Sequence, residues 1–248
     1  MPQEGKLNIG KDSLLHFLFP PRCPFCDRVL FHSLFAKSPL VCRECEGLPE
    51  QVGEPACCKC GKPLQDGRAE YCYDCGRKEL AYAQGKALWA YKGPVKDSLY
   101  RFKYQNRQEY ARYYGIQLAR AYGEWIQRCG ISAVVPIPLS RKRLRQRGFN
   151  QAGLVAIRLG KEMGLPVFPN LLLRVRDTTA QKELNEEERK NNLKRAFKTS
   201  ANKVQLDHIL LIDDIYTTGT TMNEAAKELK RAGAAEVYCL SISIGRGY

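Results

Sequence analysis

Ile209-Leu210-Leu211-Ile212-Asp213-Asp214-Ile215-Tyr216-Thr217-Thr218-Gly219-Thr220-Thr221 is the stretch that decides how this chain folds. Four aliphatic residues in a row predict a buried strand ending in two carboxylates. A hydroxyl-rich turn then leads into a helix over residues 222–232. In an open parallel sheet, ligands bind beyond the carboxyl ends of the strands. The backbone N–H groups of Thr218, Gly219, Thr220 and Thr221, at the start of that helix, suit a phosphate, and Gly219 permits close approach. No GxxxxGK[ST] pattern occurs and no lysine follows the glycine, which excludes a Walker loop. An acidic pair beside a monophosphate cradle fits sugar hydroxyls or a hydrated Mg²⁺, and a ribose 5-phosphate satisfies both halves. The plain alternative, a capped strand-to-helix turn with solvated acids, explains the threonines but not two adjacent acids after a buried strand.

The flanking sequence repeats the alternation. Tyr110, Tyr114, Leu118, Ala121 and Trp125 recur at helical steps, residues 133–137 read as a short buried strand, and residues 150–163 form a helical pattern closed by Gly164. Residues 167–175 are strand-like, with Pro169 turning their first half toward loop or edge. Residues 176–182 read as loop, Asn185 and Glu188 as a capping box, and residues 237–244 as a final strand. The order predicts an α/β fold with a parallel sheet flanked by helices.

Nine of the 11 cysteines lie between Cys23 and Cys75. This shift places a boundary near residue 80, dividing a small module at 1–80 from an α/β domain at 81–248. Cys23/Cys26, Cys42/Cys45, Cys57/Cys60 and Cys72/Cys75 are four CxxC pairs, and two such turns close one tetrahedral zinc site. Two structural Zn²⁺ ions are therefore expected, with the pairing order open. A region this small needs such support, because it buries too little surface to be stable alone. Cys58 reads as a spare thiol, and Cys129 and Cys239 as small buried hydrophobes.

The chain has 248 residues, 44% hydrophobic and 27% charged, which excludes disordered and collagen-like classes and leaves room for one ordinary domain plus a small one. Its formal charge of +14 favours polyanionic partners. The apolar run at residues 14–19 is too short for a membrane span and precedes no cleavage site, so a cytoplasmic location is expected. Cysteine-rich chains in a reducing compartment use thiols as metal ligands.

The acidic and threonine-rich stretch resembles the 5-phosphoribosyl 1-pyrophosphate (PRPP) motif of type I phosphoribosyltransferases at every position. The resemblance implies that Asp213 and Asp214 hold the ribose hydroxyls, that Thr217, Thr218, Gly219, Thr220 and Thr221 wrap the 5-phosphate, and that Mg²⁺ accompanies PRPP. The CxxC pairs, Val135-Pro-Ile-Pro-Leu-Ser140, Arg147-Gly-Phe-Asn-Gln151, and Gln181, Leu184, Arg189, Asn192, Ala196 and Phe197 together resemble the ComF family over nearly the whole length. That likeness implies a pyrophosphate loop at residues 135–139, a mobile loop at 178–189, and site roles for Arg147 and Lys103. It also implies a part in DNA uptake, with single-stranded DNA and a helicase-like ATPase as partners. In related enzymes an N-terminal hood selects the base; here its place falls to the zinc module and residues 91–104, which puts a conventional purine or pyrimidine in doubt.

Arg141-Lys-Arg-Leu-Arg-Gln-Arg147 carries five cations in seven residues, suited to pyrophosphate, to a nucleic-acid backbone or to plain solvation. Tyr100, Phe102, Tyr104 and Tyr110 alternate with Arg101, Lys103 and Arg107, which fits either base stacking or packing on the sheet. His16, His32 and His208 have no metal or nucleophile companions. Two main functions, which need not exclude each other, are expected: DNA uptake through PRPP and single-stranded DNA binding, and Mg²⁺-dependent transfer of ribose 5-phosphate to a base or amine. A PRPP-sensing regulator without turnover is a third.

Overall fold

The computed structural model describes residues 20–30, 39–175, 196–200 and 205–245. The predicted loop at 178–189, the capping box at Asn185 and the residues Gln181, Leu184, Arg189 and Asn192 lie outside them, as do His16, His32 and the apolar run 14–19.

A four-stranded sheet, all parallel, forms the centre. Its strands are β1 (Gly85–Ala90), β2 (Ala133–Pro136), β5 (His208–Tyr216) and β6 (Glu236–Ile244), in the order β1-β6-β5-β2. The helices are α1 (Tyr73–Arg77), α2 (Gly93–Tyr104), α3 (Tyr110–Arg128), α4 (Arg141–Arg147), α5 (Gln151–Met163) and α6 (Thr220–Arg231). Because successive strand residues point to opposite faces, Leu210 and Ile212 pack with α2, α3 and α5 on one side, and Ile209 and Leu211 with α6 on the other. Both faces of residues 209–212 are buried, which is why β5 opens as an unbroken aliphatic run.

β5 is longer than the sequence predicts. Asp213 pairs in register with Ser241 and Tyr216 with Ile244, so the acids lie within the strand's last turns of pleat. The neighbouring serines of β6, Ser241 and Ser243, are buried and give the acids a polar flank. Of the strand-like residues 167–175 only the second half is a strand, as Pro169 led one to expect. Val167 makes a single bridge to Val134, and only β3 (Leu172–Arg174) is a strand, paired antiparallel with β4 (Phe197–Thr199) in a separate small sheet. Pro166, Pro169 and the turn at Asn170 interrupt it. Conversely β1 carries no alternation to signal a strand, since five of its six residues are buried.

The cysteine-rich segment closes the sheet's free edge. Ala90 N–H donates to Glu50 O at 2.9 Å and Gly85 N–H to Lys59 O at 2.7 Å, so backbone from that segment takes up the groups that an edge strand leaves exposed. Its first knuckle also enters the core: Phe25 packs edge-on against Trp89 and Tyr113, with centroids 5.8 and 5.6 Å away. Asp27 accepts from Arg107 Nη2 at 2.7 Å and Tyr110 Oη at 2.6 Å, and Arg101 Nη2 donates to Phe25 O at 2.6 Å.

Candidate functional site

The four CxxC pairs gather in sequence order. Cys23, Cys26, Cys42 and Cys45 form one tetrad, and Cys57, Cys60, Cys72 and Cys75 the other, with all sulfurs of each within 4.8 Å of one another. A tetrahedral ion at 2.3 Å from each sulfur requires S···S edges of about 3.8 Å. Cys26 and Cys42 stand 3.6 Å apart and Cys60 and Cys72 3.7 Å, so the donor set fits zinc without rearrangement. Cys58 is exposed and outside the second tetrad, and Cys239 is buried as expected, while Cys129 is half-buried. Four thiolates fill a tetrahedral shell and leave no open position for a substrate.

At the carboxyl end of β5 the two acids differ. Asp214 meets Lys103, the last residue but one of α2, at 2.9 Å from Nζ to Oδ1, both side chains being largely shielded. Asp213 accepts the Asp214 backbone N–H at 2.8 Å. Burial and the adjacent Asp214 charge push the Asp213 carboxyl up to about 7, more than the Asp214 N–H, Lys103 and Arg174 pull it down. Asp214, paired with Lys103, thus sits beside a carboxyl that exchanges its proton near neutrality.

The turn after β5 is tightly specified. Gly219 has φ +74°, and a Cβ there would stand 2.2 Å from the Tyr216 hydroxyl. That hydroxyl is held by Tyr82 Oη at 2.7 Å in a buried bond, and Asn223 Oδ1 accepts from Ala81 N–H at 2.7 Å. The segment just after the second zinc site is therefore bonded to both sides of the turn. Thr218 and Thr220 share a hydroxyl bond at 2.9 Å, Thr217 is exposed, and α6 begins at Thr220. Tyr216, Tyr82 and Asn223 are missing from the sequence-predicted site. Tyr216 stands inside the diagnostic stretch, but its partner is 134 residues away in the chain.

The end of β2 is braced by the Arg147-Gly-Phe-Asn-Gln151 segment. Ile137 N–H donates to Ile212 O at 2.8 Å, and Asn150 Nδ2 donates to Ile137 O at 3.0 Å. Ser140 caps α4 by accepting the Arg143 N–H. Arg147 binds Gln151 Oε1 at 3.0 Å and Tyr104 Oη at 3.3 Å. Lys103 is thus joined directly to the acid pair, whereas Arg147 reaches its neighbourhood through Tyr104. His208 Nδ1 lies 2.6 Å from Cys129 O, an ordinary structural bond.

Comparison with known proteins supplies the rest. A double zinc ribbon domain is matched at residues 14–76 and a phosphoribosyl transferase domain at residues 145–243. The chain is 31% identical to Competence protein F of Haemophilus influenzae over 78% of its own length and 86% of the relative's. The chain belongs to the ComF family. A second ComF relative, Competence protein ComFC of Bacillus subtilis, is 30% identical over 86% of this chain and 90% of its own. DNA utilization protein YhgH of Salmonella typhimurium is 31% identical over 74% and 82%. This ComF protein therefore joins two zinc-binding cysteine tetrads to a phosphoribosyltransferase domain, and among its described residues no helix is long and apolar enough to cross a membrane.

Proposed function

We propose that this protein binds PRPP with Mg²⁺ at the carboxyl end of β5 and acts on DNA during its uptake. The observation that carries the first half is the acid pair with its shielded lysine immediately before a glycine-pinned threonine turn. Asp213 and Asp214 accept the ribose hydroxyls, and Thr217, Thr218, Gly219, Thr220 and Thr221 enclose the 5-phosphate. Lys103 balances the acids, Arg147 and residues 135–139 face the pyrophosphate, and Mg²⁺ offsets its charge. The second half is supported by the relatives named for competence and DNA utilization and by the net charge of +14. Single-stranded DNA and a helicase-like ATPase are the partners this role requires, and a cytoplasmic location follows from it. Residues 1–80 serve as a zinc-supported brace and residues 81–248 as the ligand-binding part.

A second function, transfer of ribose 5-phosphate to a base or amine with release of pyrophosphate, is favoured by one feature. Asp213, raised toward neutrality, can take a proton from an acceptor that itself attacks the sugar. Titration of Mg²⁺–PRPP into the protein, with pyrophosphate assayed in the same samples in the presence of pooled bases, separates the two. Binding without release supports the DNA-handling module, acceptor-dependent release makes it an enzyme, and absence of binding rejects the PRPP site and the transfer reaction.

A further inference from the structure

The aromatic residues that alternate with cations through residues 100–110 do not share one environment. Phe102 and Tyr110 are buried in the core, and Arg101 and Arg107 turn into the first zinc knuckle. Tyr100 and Tyr104 remain 57% and 50% exposed. Four residues apart on α2, they lie on one face of the helix with ring centroids 5.2 Å apart and planes tilted by 48°. The tilt leaves no slot between them: Tyr100 offers its outer face, and Tyr104 offers its half-exposed ring together with the Arg147 guanidinium set over it.

Arg147 fixes the upper ring. Its guanidinium lies 5.1 Å from the Tyr104 centroid and donates to the hydroxyl, while Gln151, itself 1% exposed, holds it from behind. Arg147 is also the last residue of α4, whose Arg141, Lys142, Arg143 and Arg145 have no acid in the same helix and no ion-pair partner among the described residues. A row of cations without an ion-pair partner among the described residues thus continues from a pair of exposed aromatic rings.

We propose that the Tyr100 and Tyr104 face of α2 and the basic α4 beside it form one binding site for single-stranded nucleic acid, with bases stacked on the tyrosines and backbone phosphates held by α4. Paired bases are stacked on one another and offer only their edges, so exposed rings select unpaired strands. The cations supply sequence-independent, salt-sensitive attraction, and the rings supply a part that salt does not screen. The site rests on the DNA-handling function proposed above and gives it an address.

The test is fluorescence anisotropy of labelled oligo(dT), and of the same strand made abasic, with the full-length protein at several salt concentrations. Tyr100→Ala/Tyr104→Ala is expected to weaken oligo(dT) binding by about 5- to 150-fold for each base unstacked, with an unchanged salt slope. On the abasic strand it should match wild type, and Tyr104→Phe, which keeps the ring, should retain most of the affinity. Arg143→Ala/Arg145→Ala should instead lower the slope by about 0.7 for each phosphate contact removed. Tyr73→Ala, at a tyrosine 68% exposed on the zinc module, is the control expected to bind normally. Oligo(dT) binding by the tyrosine double variant within twofold of wild type, or equal losses on both strands, would overturn the site while leaving DNA handling in place. Wild type that fails to bind either strand would overturn both.

Discussion

Gly219 is the residue on which the phosphate turn depends. A side chain there meets two costs: a positive φ that non-glycine residues adopt only with strain, and a collision with the Tyr216 ring, whose hydroxyl is already committed to Tyr82. Gly219→Ala is expected to lower stability by about 1–3 kcal/mol and to abolish PRPP binding, whereas Thr217→Ala, at an exposed position, should cost little stability. Thermal melts of both variants beside a PRPP titration separate fold from function. Asp213 gives a pH-dependent counterpart. Its folded pKa is raised above its unfolded value, so the folded state binds the extra proton between the two. Its contribution is neutral at low pH and turns unfavourable as pH rises toward 7 and the buried carboxyl must ionise. Asp213→Asn should therefore melt like wild type near pH 4 and above it near pH 8, by about 1–2 kcal/mol after allowing for screening by solvent. A stabilisation equal at both pH values would contradict the raised pKa.

Among the elements, α3 packs closely against α5. A Cβ on Gly115 would stand 2.6 Å from Arg158 Cβ and 3.1 Å from the Leu159 backbone N, so the two helices approach along a glycine. Gly115→Ala must push them apart and should cost about 1–3 kcal/mol of overpacking, read as a lowered denaturation midpoint with an unchanged slope. Helices such as α3 and α5 were evident from sequence because their apolar residues recur at helical steps. β5 was evident because a strand buried on both faces is a continuous aliphatic run. The same property hid β1, where the run Ala87-Leu88-Trp89-Ala90 is short and no alternation marks it. In residues 167–175 Pro169 marked the first half as loop or edge, and the strand is confined to Leu172–Arg174. The acids and threonines of the site were readable as one contiguous stretch. The bonds that hold them, Tyr216 to Tyr82 and Asn223 to Ala81, join residues more than 130 positions apart, and no local pattern encodes them.

At the scale of the molecule, the zinc ribbons behave as part of the phosphoribosyltransferase fold. Spacing alone allowed the cysteine pairs to combine in order or interleaved, and only the folded chain sets each pair beside its successor. Because the first knuckle inserts Phe25 against Trp89 and ties Asp27 to Arg107 and Tyr110, loss of metal must loosen the core as well as the ribbon. Chelation of the Trp125→Phe protein, which leaves Trp89 as sole reporter, should red-shift its emission and lower one shared melting transition. An unchanged spectrum with two separate transitions would mean that the ribbons fold independently. The further consequence is functional, since the segment leaving the second tetrad bonds to the phosphate turn through Tyr82 and Ala81. The most direct measurement is calorimetric titration of Mg²⁺–PRPP into wild type and Asp213→Asn/Asp214→Asn at pH 8, with both proteins shown to be folded. Saturable binding by wild type and none by the variant is the expected result, while equal binding by the two, or none by wild type, would contradict a PRPP site at the end of β5.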